Sequence, residues 1–196
     1  MPKPKISFEL LYENVLGLIR HHKPEAINYS KISRASGIPR PTLYYYFGKE
    51  PDALIEESLR FGMSVLTQIY QDDTHSLSAK TWGEYHHARF YMALKLVMKH
   101  PWAIPLYLRY RNQPGRFQKS IKNIEDRYLE RMSAQFKKQV GKAADPERLR
   151  LAGYLKIGFF WGMTTDQEAW SSKERAYWKK TSAEFIAGLD RWLGAK

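Results

Sequence analysis

The sequence predicts an all-α protein of about nine helices, with a small N-terminal unit over residues 1–50 and a larger helical domain over 51–196. Three observations carry that prediction. Apolar residues recur at i, i+3, i+4 and i+7 in segment after segment. No stretch shows the period-two alternation of a half-buried strand. Proline and glycine fall between the periodic segments, where they start and stop helices.

From Ser7 to Lys23, Phe8, Leu11, Tyr12, Val15, Leu18 and Ile19 form one helical stripe, and Pro24 closes it. Asn28 is a side-chain cap for a short helix over Tyr29–Ser36, with Ile32 and Ala35 turned inward, and Gly37 supplies the left-handed stop. Pro39 and Pro41 are tolerable only in a first helical turn, so a third helix begins near Arg40. After Pro51, Leu54, Ile55, Leu59, Met63, Leu66, Ile69 and Tyr70 mark a long fourth helix reaching about Asp72. A polar connector, DDTHSLSAK, follows. Further helices are expected over Thr81–Lys99, Trp102–Asn112 with a kink at Pro105, and Gly115–Val140. The break GKAADPE precedes the last two, Glu147–Trp170 and Lys173–Leu193.

Composition narrows the function classes. Within 196 residues, 43% hydrophobic and 27% charged, there is room for one or two compact units. The chain holds no cysteine, which removes disulfides and thiolate chemistry, and no apolar run long enough to span a bilayer. A cytoplasmic protein without cofactor or membrane partner is the expectation. The net charge of +12 favours a polyanionic partner. Its distribution is uneven: residues 1–50 carry +4, whereas 99–142 carry +8.

A short helix, a glycine turn and a second short helix opening on polar and aromatic residues is the geometry that lays a recognition helix in the major groove. The segment ISRASGIPRPTLYYYFGKE resembles the signature of TetR-family transcriptional regulators, and the resemblance extends over residues 6–60. It implies a core of Ile32, Ala35, Ile38, Leu43 and Phe47, phosphate contacts from Thr42 and Tyr44, and sequence reading by Arg40, Tyr45 and Tyr46. Threonine and phenolic hydroxyls suit phosphate oxygens, and arginine pairs bidentately with guanine. Tyr29, Ser30 and Lys31 are expected on the flanking backbone. The phosphate-binding lysine usual in the family falls nearest to Lys49, two residues after Phe47 where members place it three after. Consecutive tyrosines are often plain packing, but adjacent helical residues point about 100° apart and cannot share one buried face. Lys3 and Lys5 read as a tail, with a minor-groove arm as the alternative.

The resemblance also implies a double-stranded DNA partner with a palindromic operator, a homodimer built on the last two helices, and a small-molecule effector held by helices five to seven. Gly158 and Gly162, four apart on one helical face, fit close approach of another helix, either a partner subunit's or one of the same chain. Cavity candidates are Tyr85, Phe90, Tyr91, Trp102, Tyr107, Phe117, Phe160 and Trp161, all of which also suit an ordinary core. Arg109 and Arg111, with Arg116 nearby, either receive an anionic headgroup, making the effector an amphiphilic or aromatic anion, or form a solvated basic face.

Catalysis finds no support in sequence. No Gly-rich phosphate loop, nucleophile elbow or H-E-x-x-H occurs. Neither Glu125 with Asp126 nor Asp166 with Glu168 shares a helix face. His86 and His87 are adjacent and make a poor metal pair. The readings are therefore a ligand-released repressor, a DNA-binding regulator without a small-molecule effector, or a helical scaffold that binds acidic proteins through 99–142.

Overall fold

The computed structural model describes residues 7–71, 78–165 and 172–195. Lys3, Lys5, Asp72, Asp166 and Glu168 lie outside the described residues. Among the described residues there are nine α-helices and no strand. They are α1 (Phe8–His21), α2 (Tyr29–Ser36), α3 (Arg40–Phe47), α4 (Asp52–Tyr70), α5 (Trp82–Lys99), α6 (Ala103–Arg111), α7 (Arg116–Val140), α8 (Pro146–Thr165) and α9 (Ser172–Leu193), with a 3-10 turn at Pro24–Ala26.

Side-chain caps account for the boundaries. Ser7 Oγ accepts from Leu10 N at 3.4 Å and Asn28 Oδ1 from Lys31 N at 3.0 Å, each satisfying an orphan donor of a first turn. Gly37, at φ 70°, ends α2 in the left-handed conformation. Thr81 and Glu84 form a capping box at the start of α5. Pro105 sits in the first turn of α6, not in its interior. Its missing N–H therefore interrupts no intrahelical bond, and the interior kink expected there is not required.

One continuous apolar core runs from Leu11 in α1 to Leu193 in α9. The long α4 is its axis, packing against α1 on one side and α5, α6 and α7 on the other. At its midpoint Gly62 permits the closest approach: an added Cβ would lie 2.7 Å from Leu106 Cδ2 and 3.3 Å from Leu16 Cδ2. Helices α8 and α9 pack against α5 and against each other.

Polar links tie α1 to the helical domain as well. Glu13 in α1 accepts from Trp102 Nε1, and its Oε1 lies 2.6 Å from His100 Nδ1. Arg109 in α6 donates to the Ile19 carbonyl and, at 2.7 Å, to the His22 carbonyl, so its guanidinium caps the C-terminal end of α1. Arg20 Nη2 reaches the Thr164 carbonyl of α8 at 3.3 Å.

Candidate nucleic-acid interface and interior cavity

α2 and α3 meet through the Gly37 turn, anchored from beneath by the fully buried Ile32 and Leu43, with α2 packed against α1. Ile38 and Phe47 are half-buried, whereas Ala35, expected in the core, is exposed on the last turn of α2, where no helix covers it. That seating turns α3 outward. Tyr44, Tyr45 and Tyr46 are 43%, 78% and 49% exposed, and Arg40 and Lys49 are exposed too.

The tyrosines differ in their bracing. Tyr44 meets Tyr29 edge to face at 4.9 Å, and Tyr46 meets Phe8 at 5.4 Å. Tyr45 touches only Tyr46 among the ring contacts and projects furthest. Arg40 Nη1 donates to Ser30 Oγ at 3.3 Å, so the two lie side by side at the exposed start of α2 and α3. Thr42 is half-buried.

One expected contact needs correction. Tyr29 is 4% exposed and its hydroxyl donates to the Glu50 carbonyl at 2.9 Å. Burial pushes that phenol up from its ordinary range, and its work is to support Tyr44 from behind, not to meet a phosphate. Lys31 spends one N–H on the Ala26 carbonyl at 2.8 Å, closing the 3-10 turn onto α2.

The interior of the helical domain holds less space than its aromatic content suggests. Phe90 stacks on Phe160 at 5.0 Å, and Tyr85 is fully buried beside Trp82. These rings fill the volume. What remains is a cavity of about 40 Å³ lined by Ile69, Tyr70, Arg89, Phe90, Tyr128, Lys156 and Phe160 among others. A second, also about 40 Å³, lies across Tyr70 and Tyr128. Toward the surface, Tyr107, Leu108, Arg111, Tyr154, Gly158 and Trp161 line a groove of about 320 Å³.

Several cavity candidates sit elsewhere. Trp102 is bound to Glu13 at the α1 junction, Tyr91 packs on His87 and Phe90, and Phe117 lies against Tyr110. Arg109 caps α1, so it is not available to a ligand headgroup in this conformation. Arg111 lies at the outer groove but is paired: it donates to Glu125 at 2.8 Å and to Tyr154, whose ring centroid is 4.7 Å from its guanidinium. That carboxylate also keeps the Arg111 guanidinium protonated and accepts from Tyr107. The two arginines are neighbours in sequence, but the turn of α6 sends them to different partners.

The cations that do reach the inner cavity are ones the sequence reading missed. Lys156, on α8, is 7% exposed; it donates to His86 Nε2 at 3.1 Å and to Tyr128. His86 turns Nδ1 to Asp190 at 2.6 Å, and Trp82 Nε1 donates to the same oxygen at 2.8 Å. Burial foremost, and the neighbouring Lys156, push His86 down to about 4, so its imidazole is neutral at physiological pH. Arg89 is 4% exposed and donates to the Ile69 carbonyl at 3.2 Å. One signal was legible: Lys156 is the lone charge in the run LAGYLKIGFFWG.

Gly158 and Gly162 lie on an exposed face of α8, and an added Cβ at either would meet nothing within 4 Å. Leu151, Leu155 and Trp161 are exposed along the same helix. Among the described residues, no helix is long and apolar enough to cross a membrane.

A short two-helix unit with an outward second helix, seated on a body of six further helices beyond α1, defines a helix-turn-helix protein by its architecture. No family model matches the chain, and no curated protein matches it in sequence. Solved structures do. The TetR-family regulator PfmR from Thermus thermophilus is similar at TM-score 0.64 and 15% identity, over 94% of this chain and 95% of that one. The fatty acid degradation regulator FadR from Bacillus halodurans is similar at TM-score 0.62 and 14% identity, over 98% and 96%. FadR from Bacillus subtilis, solved with stearoyl-CoA, gives 0.59 and 16% identity over 93% and 97%. The chain has the fold of TetR-family transcriptional regulators.

Proposed function

We propose that this protein is a cytoplasmic DNA-binding transcriptional repressor that acts as a homodimer on a palindromic operator and is released by a small-molecule effector. The observation that carries the reading is the outward face of α3, where Arg40 and three exposed tyrosines stand on a buried support. Arg40, Tyr45 and Tyr46 read bases; Thr42, Tyr44, Ser30, Lys31 and Lys49 meet phosphates.

Two such faces must reach successive major grooves about 34 Å apart, which a two-fold dimer achieves. The α8 stripe of Leu151, Leu155, Gly158 and Gly162 fits that interface, since its spacing puts the four on one helical face. The excess basic charge of 99–142 is partly spent inside the fold. Arg109 caps α1, Arg111 pairs with Glu125, Arg116 with Glu56, and Arg131 donates to the Tyr70 carbonyl. That use favours the regulator over a scaffold for acidic proteins. No catalytic step is assigned.

Selection of bound sequences from random duplexes tests the reading. A palindrome with half-sites about one helical turn or a multiple apart is the expected result. Recovery of no enriched motif overturns it. A second reading, a regulator without small-molecule effector, is favoured by the inner cavities of about 40 Å³, far below the several hundred typical of ligand pockets. Absence of thermal stabilisation by any apolar or amphiphilic ligand would select it.

A further inference from the structure

Within the helical domain one group is out of keeping with its surroundings. Lys156 places an ammonium at the wall of a cavity whose other lining is Ile69, Phe90, Ala93, Ile104, Ile157 and Phe160, with the tyrosines Tyr70 and Tyr128. No aspartate or glutamate lines that cavity. Its two recorded partners, His86 Nε2 and the Tyr128 hydroxyl, are neutral acceptors. An ammonium has three donors, so one remains beyond these two bonds. Asp190 is the nearest compensating carboxylate in the network, but the neutral imidazole stands between it and the lysine. Burying a cation without a directly paired anion is costly, and lysine is almost never this buried unless paired. A second cation, Arg89, lines the same cavity.

We propose that this cavity is the seat of an organic carboxylate, whose head is held by Lys156 with Arg89 as the second cation and whose apolar body lies among the surrounding rings. The assignment rests on the regulator reading above and names the class of its effector. The head supplies the missing counter-charge and accepts the third lysine N–H, a charge-assisted bond stronger than the neutral ones. Room for the body comes from the neighbouring cavity, which shares Tyr70, Tyr128, Gly153 and Ile157 with the first. Tyr70 and Tyr128 meet edge to face at 5.2 Å and form the partition. Turning those rings joins two spaces of about 40 Å³ each. The occupied state therefore differs from the empty one at α4 and α7, and α4 is the helix on which α1 is seated. A ligand that prefers this altered packing shifts the population away from the DNA-competent arrangement.

The test compares octanoate with 1-octanol, matched in length and differing in charge, by calorimetric titration of the full-length protein. Octanoate is expected to bind at least about tenfold more tightly than 1-octanol. In Lys156→Met the preference should fall to within about twofold while 1-octanol binding is kept, in a protein whose helical circular dichroism is unchanged. A measurement on the unaltered protein guards against a variant that fails to fold. Octanoate carrying a ¹³C-carboxyl label should, when bound, stay ionised to lower pH than free octanoate. Equal affinities, no binding of either probe, a preference that survives Lys156→Met, or a bound carboxyl that titrates like the free acid overturns the proposal. Selection from random duplexes is read separately: octanoate binding without an enriched DNA motif defeats the regulator reading and leaves the carboxylate site standing.

Discussion

The two ends of this molecule use aromatic side chains in opposite ways. In α3 three consecutive tyrosines stand 43%, 78% and 49% exposed, with Tyr29 behind Tyr44 and with Phe8 and Phe47 against Tyr46. Between α5 and α8 the facing aromatics turn inward, with Phe90 at 1% exposure and stacked on Phe160, and polar groups such as His86 and Lys156 are drawn in after them, whereas Tyr154 and Trp161 on the other side of α8 stay exposed. Aromatic content is therefore a poor guide to role. What decides it is whether helices cover the position from every side. The eight-residue α3 leaves the face of its three tyrosines free, whereas the Phe90 face of α5 is covered by α8 and α9.

The largest effect that tests this contrast is on stability. Phe90→Ala removes a ring packed on Phe159, Phe160 and Phe185, and should cost about 3 to 5 kcal/mol in urea unfolding. Tyr45→Ala should change stability by no more than about 0.5 kcal/mol, because most of that side chain is already in water. Similar losses in the two variants would break the comparison.

The buried polar network gives the next largest effect, and its sign is fixed by His86. In the folded protein His86 is lowered from 6.5 to about 4, so the native state refuses a proton that the unfolded chain accepts. The contribution to stability is full above pH 6.5 and is lost as pH falls from 6.5 to about 4, by about 3 kcal/mol in total. Asp190 and Lys156 face the ring directly, with His87 and Trp82 beside it. Urea unfolding at stepped pH, compared with His86→Gln, isolates this portion from the other acids. Parallel pH profiles for the two proteins would show that His86 is not the titrating group.

The same contrast explains how much of the molecule was legible beforehand. The described helices announced themselves through apolar periodicity, and α2 through its Asn28 cap, because those signals are local; the caps at Ser7 and Thr81 came only with the structure. In the α2–α3 unit the turn, the buried Ile32 and Leu43 and the exposed Arg40 and tyrosines were legible within twenty positions, but Ala35, expected inside, is exposed and Tyr29, expected outside, is buried. Side-chain destinations in the helical domain were not legible. Arg109 and Arg111 are two apart in sequence, yet one caps α1 and the other pairs with α7. Trp102 meets Glu13, 89 positions away. Contacts at that separation depend on how helices are laid together, which periodicity within one helix does not encode.

At the α3 end the predicted effect is on binding to the proposed operator. Tyr45→Ala and Arg40→Ala should each weaken binding to the selected operator by about 1 to 3 kcal/mol, roughly 5- to 150-fold, and relax preference at the contacted base pair. Thr42→Ala should weaken all duplexes alike. Competition titrations with operator and scrambled duplex at fixed salt separate the two patterns. If sequence preference is untouched in both the tyrosine and the arginine variant, α3 is not the reading helix.

The smallest effect lies at the seam between the two regions. Arg109 donates to the carbonyls of Ile19 and His22, groups that the end of α1 leaves without an intrahelical partner. Its cation also faces the negative end of the α1 dipole. Arg109→Ala should therefore cost about 1 kcal/mol, less than a buried ion pair because the side chain is only half-buried and water replaces part of the bond. A loss that small is read better locally than globally. Hydrogen exchange at the amides of the last turn of α1 should accelerate about fivefold, while the amides of α9 keep their rates. Arg109→Lys should recover little of the protection, since one ammonium reproduces the charge but not the two-pronged geometry. Uniform acceleration through both helices would mean that the seam is not a separate unit and that the end of α1 opens only when the whole helical body does.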